Sequence, residues 1–71
     1  MEIKSVLRDT ETKIPYEVDI LWNGILCHWR WDAGTNLPHL VSREYFSGDG
    51  YVSKFRLAEM RKIVMAIFKG K

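Results

Sequence analysis

At 71 residues the chain has room for one domain, and a domain this short buries only about 60% of its unfolded surface, so its core must be dense or supplemented by a partner. A hydrophobic share of 46% with three Trp, three Tyr and three Phe excludes a disordered chain, and the single cysteine excludes an intramolecular disulfide. The formal charge of +2 conceals a split: residues 1 to 50 carry five Lys and Arg against eight Asp and Glu, whereas residues 51 to 71 carry six against one.

Glu2 to Arg8 alternates weakly, with Ile3, Ser5 and Leu7 opposite Lys4, Val6 and Arg8, and reads as an edge strand whose cations discourage pairing with other chains. The polar run Asp9-Thr10-Glu11-Thr12 follows as a turn, and Pro15 marks the start of the next element. Between Tyr16 and Trp31 two alternating runs meet at Asn23-Gly24, the dipeptide that best tolerates the two positive φ angles of a type I′ turn. That turn fixes a register. Trp22 faces Ile25, Ile20 faces Cys27, Val18 faces Trp29 and Tyr16 faces Trp31 on an apolar side, while Leu21 meets Leu26, Asp19 meets His28 and Glu17 meets Arg30 on the other. Sliding the register by one residue exchanges the two faces, so hydrophobicity and charge agree on a single pairing.

Asp32 to Asn36 breaks the alternation. Leu37 to Phe46 then fits either a helix capped by Asn36, with Pro38 in its first turn, or, over Val41 to Phe46, a strand paired through Ser47-Gly48-Asp49-Gly50 with Tyr51 to Arg56; the β-rich composition favours the strand. From Leu57 onward, Leu57, Met60, Ile63, Val64, Ile67 and Phe68 fall within an arc of about 140° at helical spacing, which predicts an amphipathic helix ending at Gly70. A cap at Ser53 would start the helix earlier but would place Phe55 off the stripe. The longest apolar run, Ile63 to Phe68, is far short of the roughly 20 residues that span a bilayer, and Met1-Glu2-Ile3-Lys4 does not open like a secretory leader. A cytoplasmic chain with no membrane partner is expected.

Chemistry-bearing constellations are sparse. Cys27 and His28 are strand neighbours pointing to opposite faces, so they form no nucleophile–base pair. His28 with Asp19 reads as an exposed cross-strand ion pair worth less than about 1 kcal/mol. Cys27, His28 and His39 show no C-x-x-C, H-x-x-x-H or calcium-loop spacing, and Gly48-Asp49-Gly50 lacks the spacing and lysine of a phosphate-binding loop. No catalytic residue, metal, cofactor or small-molecule substrate is expected. Two surfaces do suggest partners. Tyr16, Trp29 and Trp31 gather apolar area at the open end of the hairpin, more than one short helix covers, and Met65 lies off the helix's apolar stripe beside Arg61 and Lys62. Arg43, Lys54 and Arg56, with Tyr45, share one side of the expected second hairpin, where cations and an aromatic ring suit a nucleic-acid backbone.

A three-stranded sheet followed by one helix is the plan of the arm-binding domains of phage integrases and of plant AP2 domains, which this chain resembles in topology. Those domains set a basic sheet face in a DNA groove, whereas Glu17 and Asp19 on this face would repel phosphates. The expectation is therefore a single α+β domain over residues 1–71, an antiparallel meander of four to five strands with one C-terminal helix. Its expected role is that of a non-enzymatic protein-interaction module of the regulator or inhibitor type found in phages and mobile elements. It would be homodimeric and would bind, through Tyr16, Trp29, Trp31 and Met65, a protein partner of acidic character. The alternative is nucleic-acid binding through Arg43, Tyr45, Lys54, Arg56, Arg61 and Lys62.

Overall fold

A computed structural model describes residues 1–45 and 52–70. Among these, β1 (Glu2–Arg8), β2 (Pro15–Trp22), β3 (Ile25–Asp32) and β4 (Leu37–Tyr45) form an antiparallel sheet in the order β1-β2-β3-β4, followed by α1 (Lys54–Lys69). The fold is thus the expected α+β meander with a C-terminal helix on one face.

The central hairpin takes the register its turn dictates, from Trp22 opposite Ile25 to Glu17 opposite Arg30. Asn23 and Gly24 sit at φ 52° and 76°, the left-handed pair that a type I′ turn requires. The segment after it is a strand and not a helix, and it begins at Leu37, four residues before the Val41 expected as its start. Asp32 closes the preceding turn by accepting Gly34 N–H on its side chain at 2.9 Å and Asn36 N–H on its carbonyl at 2.8 Å, and Asn36, at φ 58°, delivers the chain into β4.

Both outer strands carry a bulge. Lys4 is the extra residue on β1, so Ile3 pairs with Ile20 while Ser5 pairs with Asp19; Ile3 and Ser5 therefore lie on opposite faces, correcting the simple alternation expected for this strand. Val41 is the extra residue on β4, between Leu40 opposite Trp29 and Ser42 opposite His28.

Val18, Ile20, Ile25, Cys27 and Trp29 from the two central strands meet Val52, Met60 and Val64 in one core, with Val6, Trp22, Leu40, Leu57, Ile67 and Phe68 around it. Trp29 is 1% exposed and is a core residue, which removes it from the expected partner surface. Trp31 is half-buried, with its ring centroid 5.7 Å from that of Phe68, so the helix itself closes much of the aromatic end.

Two expectations about the C-terminal third are corrected. The helix begins at Lys54 and not at Leu57: Ser53, extended at ψ 162°, caps it by accepting Arg56 N–H on its hydroxyl at 3.2 Å. Phe55 pays no penalty for facing away from the stripe because it stays in solvent, 69% exposed, beside the Arg56 guanidinium. Residues 54–56, expected in a strand, belong to this helix, so Arg43, Lys54 and Arg56 do not share a hairpin face. The expected turn at Ser47–Gly50, with its flanking Phe46 and Tyr51, lies outside the described residues. Gly70 ends α1 with φ −63°, and a Cβ there would stand 2.5 Å from the Ala66 carbonyl oxygen, so close backbone approach is what requires glycine.

Candidate functional site

Among the described residues, the sheet face turned away from α1 carries no second layer, yet Glu17 and Asp19 are only 9% and 8% exposed. Their burial follows from position. β2 is an inner strand, and each carboxylate is flanked on both sides: Glu17 by Leu7 and Arg30, Asp19 by Ser5 and His28. The bulge at Lys4 brings Ser5 into that row.

A polar network crosses all four strands. Ser5 Oγ donates to Asp19 Oδ2 at 2.8 Å, and Arg30 Nε–H donates to Glu17 Oε1 at 3.0 Å. His28 Nδ1 lies 2.8 Å from Asp19 Oδ1 and 3.3 Å from Glu17 Oε2, while Nε2 lies 2.5 Å from Glu44 Oε2 on β4. Each buried carboxylate thus has one oxygen held by an outer donor and the other turned toward the imidazole. Burial works against a charged ring, but Glu44, Asp19 and Glu17 outweigh it and draw His28 above its ordinary 6.5. Burial likewise pushes the Asp19 carboxyl upward, but the Ser5 hydroxyl, the His28 imidazole and the imidazolium charge hold it below its ordinary 3.8. The pair expected to be exposed and weak is instead largely buried, at the centre of a network whose outer members Arg30 and Glu44 stay exposed.

The arrangement differs from a nucleophile triad. The Ser5 proton is committed to Asp19 and not to the imidazole, and Cys27 faces the core, where burial raises its thiol above the ordinary 9.0 despite Arg43 on the adjacent strand. Glu17, Asp19 and His28 do offer three ligand-type atoms within 4.8 Å of one another. The sequence held the pairs Asp19–His28 and Glu17–Arg30 but not their union. The missing signals were the β1 bulge that delivers Ser5 and the β4 register that places Glu44 opposite Leu26, next to His28 on the same face.

The opposite side of the molecule is basic. Ala58, Arg61, Lys62 and Met65 line a groove of about 420 Å³ on α1. At 100° per residue these four, with Lys54 and Lys69, occupy an arc of roughly 100° facing away from the buried Met60 and Val64. The arc holds four cations and no carboxylate. The one helical acid, Glu59, lies elsewhere and pairs with Arg56, whose guanidinium also covers Trp22 at 5.1 Å. Of the residues expected to contact partners, Tyr16 and Tyr45 are 48% and 58% exposed, Arg43, Lys54, Arg61 and Lys62 are exposed, and Met65 is half-buried in the groove. The structure groups Lys54, Arg61, Lys62 and Met65 on α1 and leaves Tyr16, Arg43 and Tyr45 on the strands.

No protein-family model matches the chain, and no curated protein or solved structure is significantly similar to it. Among the described residues, no helix is long and apolar enough to cross a membrane.

Proposed function

We propose that this chain is a non-enzymatic interaction module that seats an acidic protein segment along the outer face of α1. The observation that carries the reading is the helix arc itself. Lys54, Arg61, Lys62 and Lys69 surround an apolar floor of Ala58 and Met65, and among the described residues the helix places no carboxylate in that arc. An apolar floor rimmed by one sign of charge suits a segment whose hydrophobic residues fill the groove while its acids meet the rim. The opposite sheet face, centred on Glu17, Asp19 and Glu44, disfavours the same class of partner, so binding would be one-sided.

Nucleic acid is the second reading, because the same arc of cations suits phosphates. It would use Lys54, Arg61 and Lys62 rather than Arg43, Tyr45 and Arg56. Fluorescence anisotropy separates the two, with a labelled peptide of alternating Glu and Leu and a labelled random-sequence DNA duplex as probes. The first reading expects saturable peptide binding that the double charge reversal Arg61→Glu, Lys62→Glu abolishes. Duplex binding with a log–log salt slope near −0.9 per phosphate contacted, without peptide binding, overturns it in favour of the second.

A further inference from the structure

The cross-strand cluster is short of positive charge. Glu17, Asp19 and Glu44 turn three carboxyl groups toward one imidazole, and the guanidinium beside them, that of Arg30, belongs to a side chain that is itself 60% exposed. A single N–H at Nδ1 must also serve two carboxylate oxygens, at 2.8 and 3.3 Å, on residues more than nine-tenths buried. One proton divided between two buried acceptors satisfies neither fully, and buried charge left uncompensated is costly. Exchanging that proton for a divalent cation gives both oxygens and the imidazole nitrogen a shared partner.

We propose that His28 Nδ1, Asp19 Oδ1 and Glu17 Oε2 form a binding site for a divalent cation of the Zn²⁺ class, with Glu44 as the carboxylate that orients the imidazole. The spacing fits. Nitrogen and oxygen ligands at about 2.1 Å from one ion stand roughly 3.0 to 3.4 Å apart for octahedral or tetrahedral angles, close to the two contacts present. The outer contacts fit as well. A metal-bound histidine characteristically gives its other N–H to a carboxylate, which is where Glu44 Oε2 lies, and ligating carboxylates are themselves held from outside, as Arg30 holds Glu17 and Ser5 holds Asp19. One imidazole with two carboxylates selects a first-row transition ion over calcium, which prefers six or more oxygens. Three protein ligands leave the remaining positions to water.

The test is titration of the full chain, first stripped with a chelator, with Zn²⁺ by calorimetry and with Co²⁺ by visible absorption. The expected result is saturable one-to-one binding, a melting temperature that rises with Zn²⁺, and a Co²⁺ spectrum free of thiolate charge transfer. His28→Gln should abolish binding. Glu44→Gln, which leaves all three ligands in place, should weaken it about 10- to 100-fold, and His39→Gln should leave it unchanged. Circular dichroism of each variant confirms that it is folded; should His28→Gln fail to fold, Glu44→Gln and Asp19→Asn carry the test. No saturable binding up to about 1 mM overturns the proposal. So does a cobalt–thiolate band, which would put the ion on Cys27, or loss of binding in His39→Gln, which would put it on His39 Nε2 and the Asp32 Oδ2 that lies 3.3 Å from it.

Discussion

Asp19 shows how far a residue's environment can depart from what its strand position suggests. Read from the hairpin alone it is a surface acid opposite a surface histidine; in the fold it receives the Ser5 hydroxyl and the His28 imidazole with 8% of its surface exposed. Asp19→Asn removes the charge that the imidazolium faces, and its expected cost is about 1 to 3 kcal/mol, against less than about 1 for an exposed pair. Urea denaturation at neutral pH checks it. The two groups also set opposite limbs of a stability–pH curve. His28 is raised in the folded state, so its contribution is complete below about 6.5 and is lost as pH rises through the higher folded value. Asp19 is depressed, so its contribution is complete above about 3.8 and is lost as pH falls through the lower folded value. The groups facing the imidazole are Asp19 and Glu17 on β2 and Glu44 on β4, all acids, so no neighbouring cation reverses the sign. Melting temperatures followed across pH in the presence of a chelator should therefore decline above about 6.5, and His28→Gln should flatten that alkaline limb alone. A limb that survives in His28→Gln belongs to another group.

Elements differ in how plainly the sequence wrote them. The β2–β3 register was legible because Asn23-Gly24 restricts the turn chemically and the two faces then sort by polarity, a local signal with no long-range input. Edge-strand bulges have no such signature. Lys4 and Val41 are ordinary strand residues, and only pairing with an inner strand shows which residue is skipped. The helix start is obscured for a different reason: the apolar stripe would place Phe55 off the core, whereas α1 simply leaves it in solvent and takes its cap from Ser53. Two substitutions test these elements. Gly24→Val forces a β-branched residue to φ near 76° and should cost about 1 to 3 kcal/mol, seen as a lowered denaturation midpoint. Ser53→Ala removes the hydroxyl acceptor of the first turn and should cost about 1 kcal/mol. A neutral Ser53→Ala would return the helix start to Leu57.

Across the whole molecule the charge split seen in the sequence becomes a spatial one. Glu17, Asp19 and Glu44 gather on the sheet face turned away from α1, and Lys54, Arg61, Lys62 and Lys69 line the outer side of α1. That segregation was legible because a helix following a meander has one face for the core and one for solvent, so its polar residues can only point outward. The union of Ser5, Glu17, Asp19, His28, Arg30 and Glu44 was not legible, because it depends on contacts from both edge strands.

The aromatic surplus that suggested a two-fold interface is resolved largely from within. Trp29 lies in the core, Trp31 rests on Phe68, and Tyr16 alone of the three is more than a third exposed. If the helix is what covers this end, Trp31→Ala deletes an intramolecular contact. Full burial of a Trp is worth about 3 to 5 kcal/mol, so a half-buried one should cost roughly 2, a large part of the 4 to 10 kcal/mol expected for a domain of this length. Phe68→Ala, acting on the other member of the ring pair, should lower stability in the same direction, and the double variant should cost less than the two single ones added together, because one contact is lost only once. Melting of all three should be independent of protein concentration, since no subunit contact is broken. A melting temperature of the wild type that rises with concentration, and loses that dependence in Trp31→Ala, would instead make the aromatic end a subunit interface.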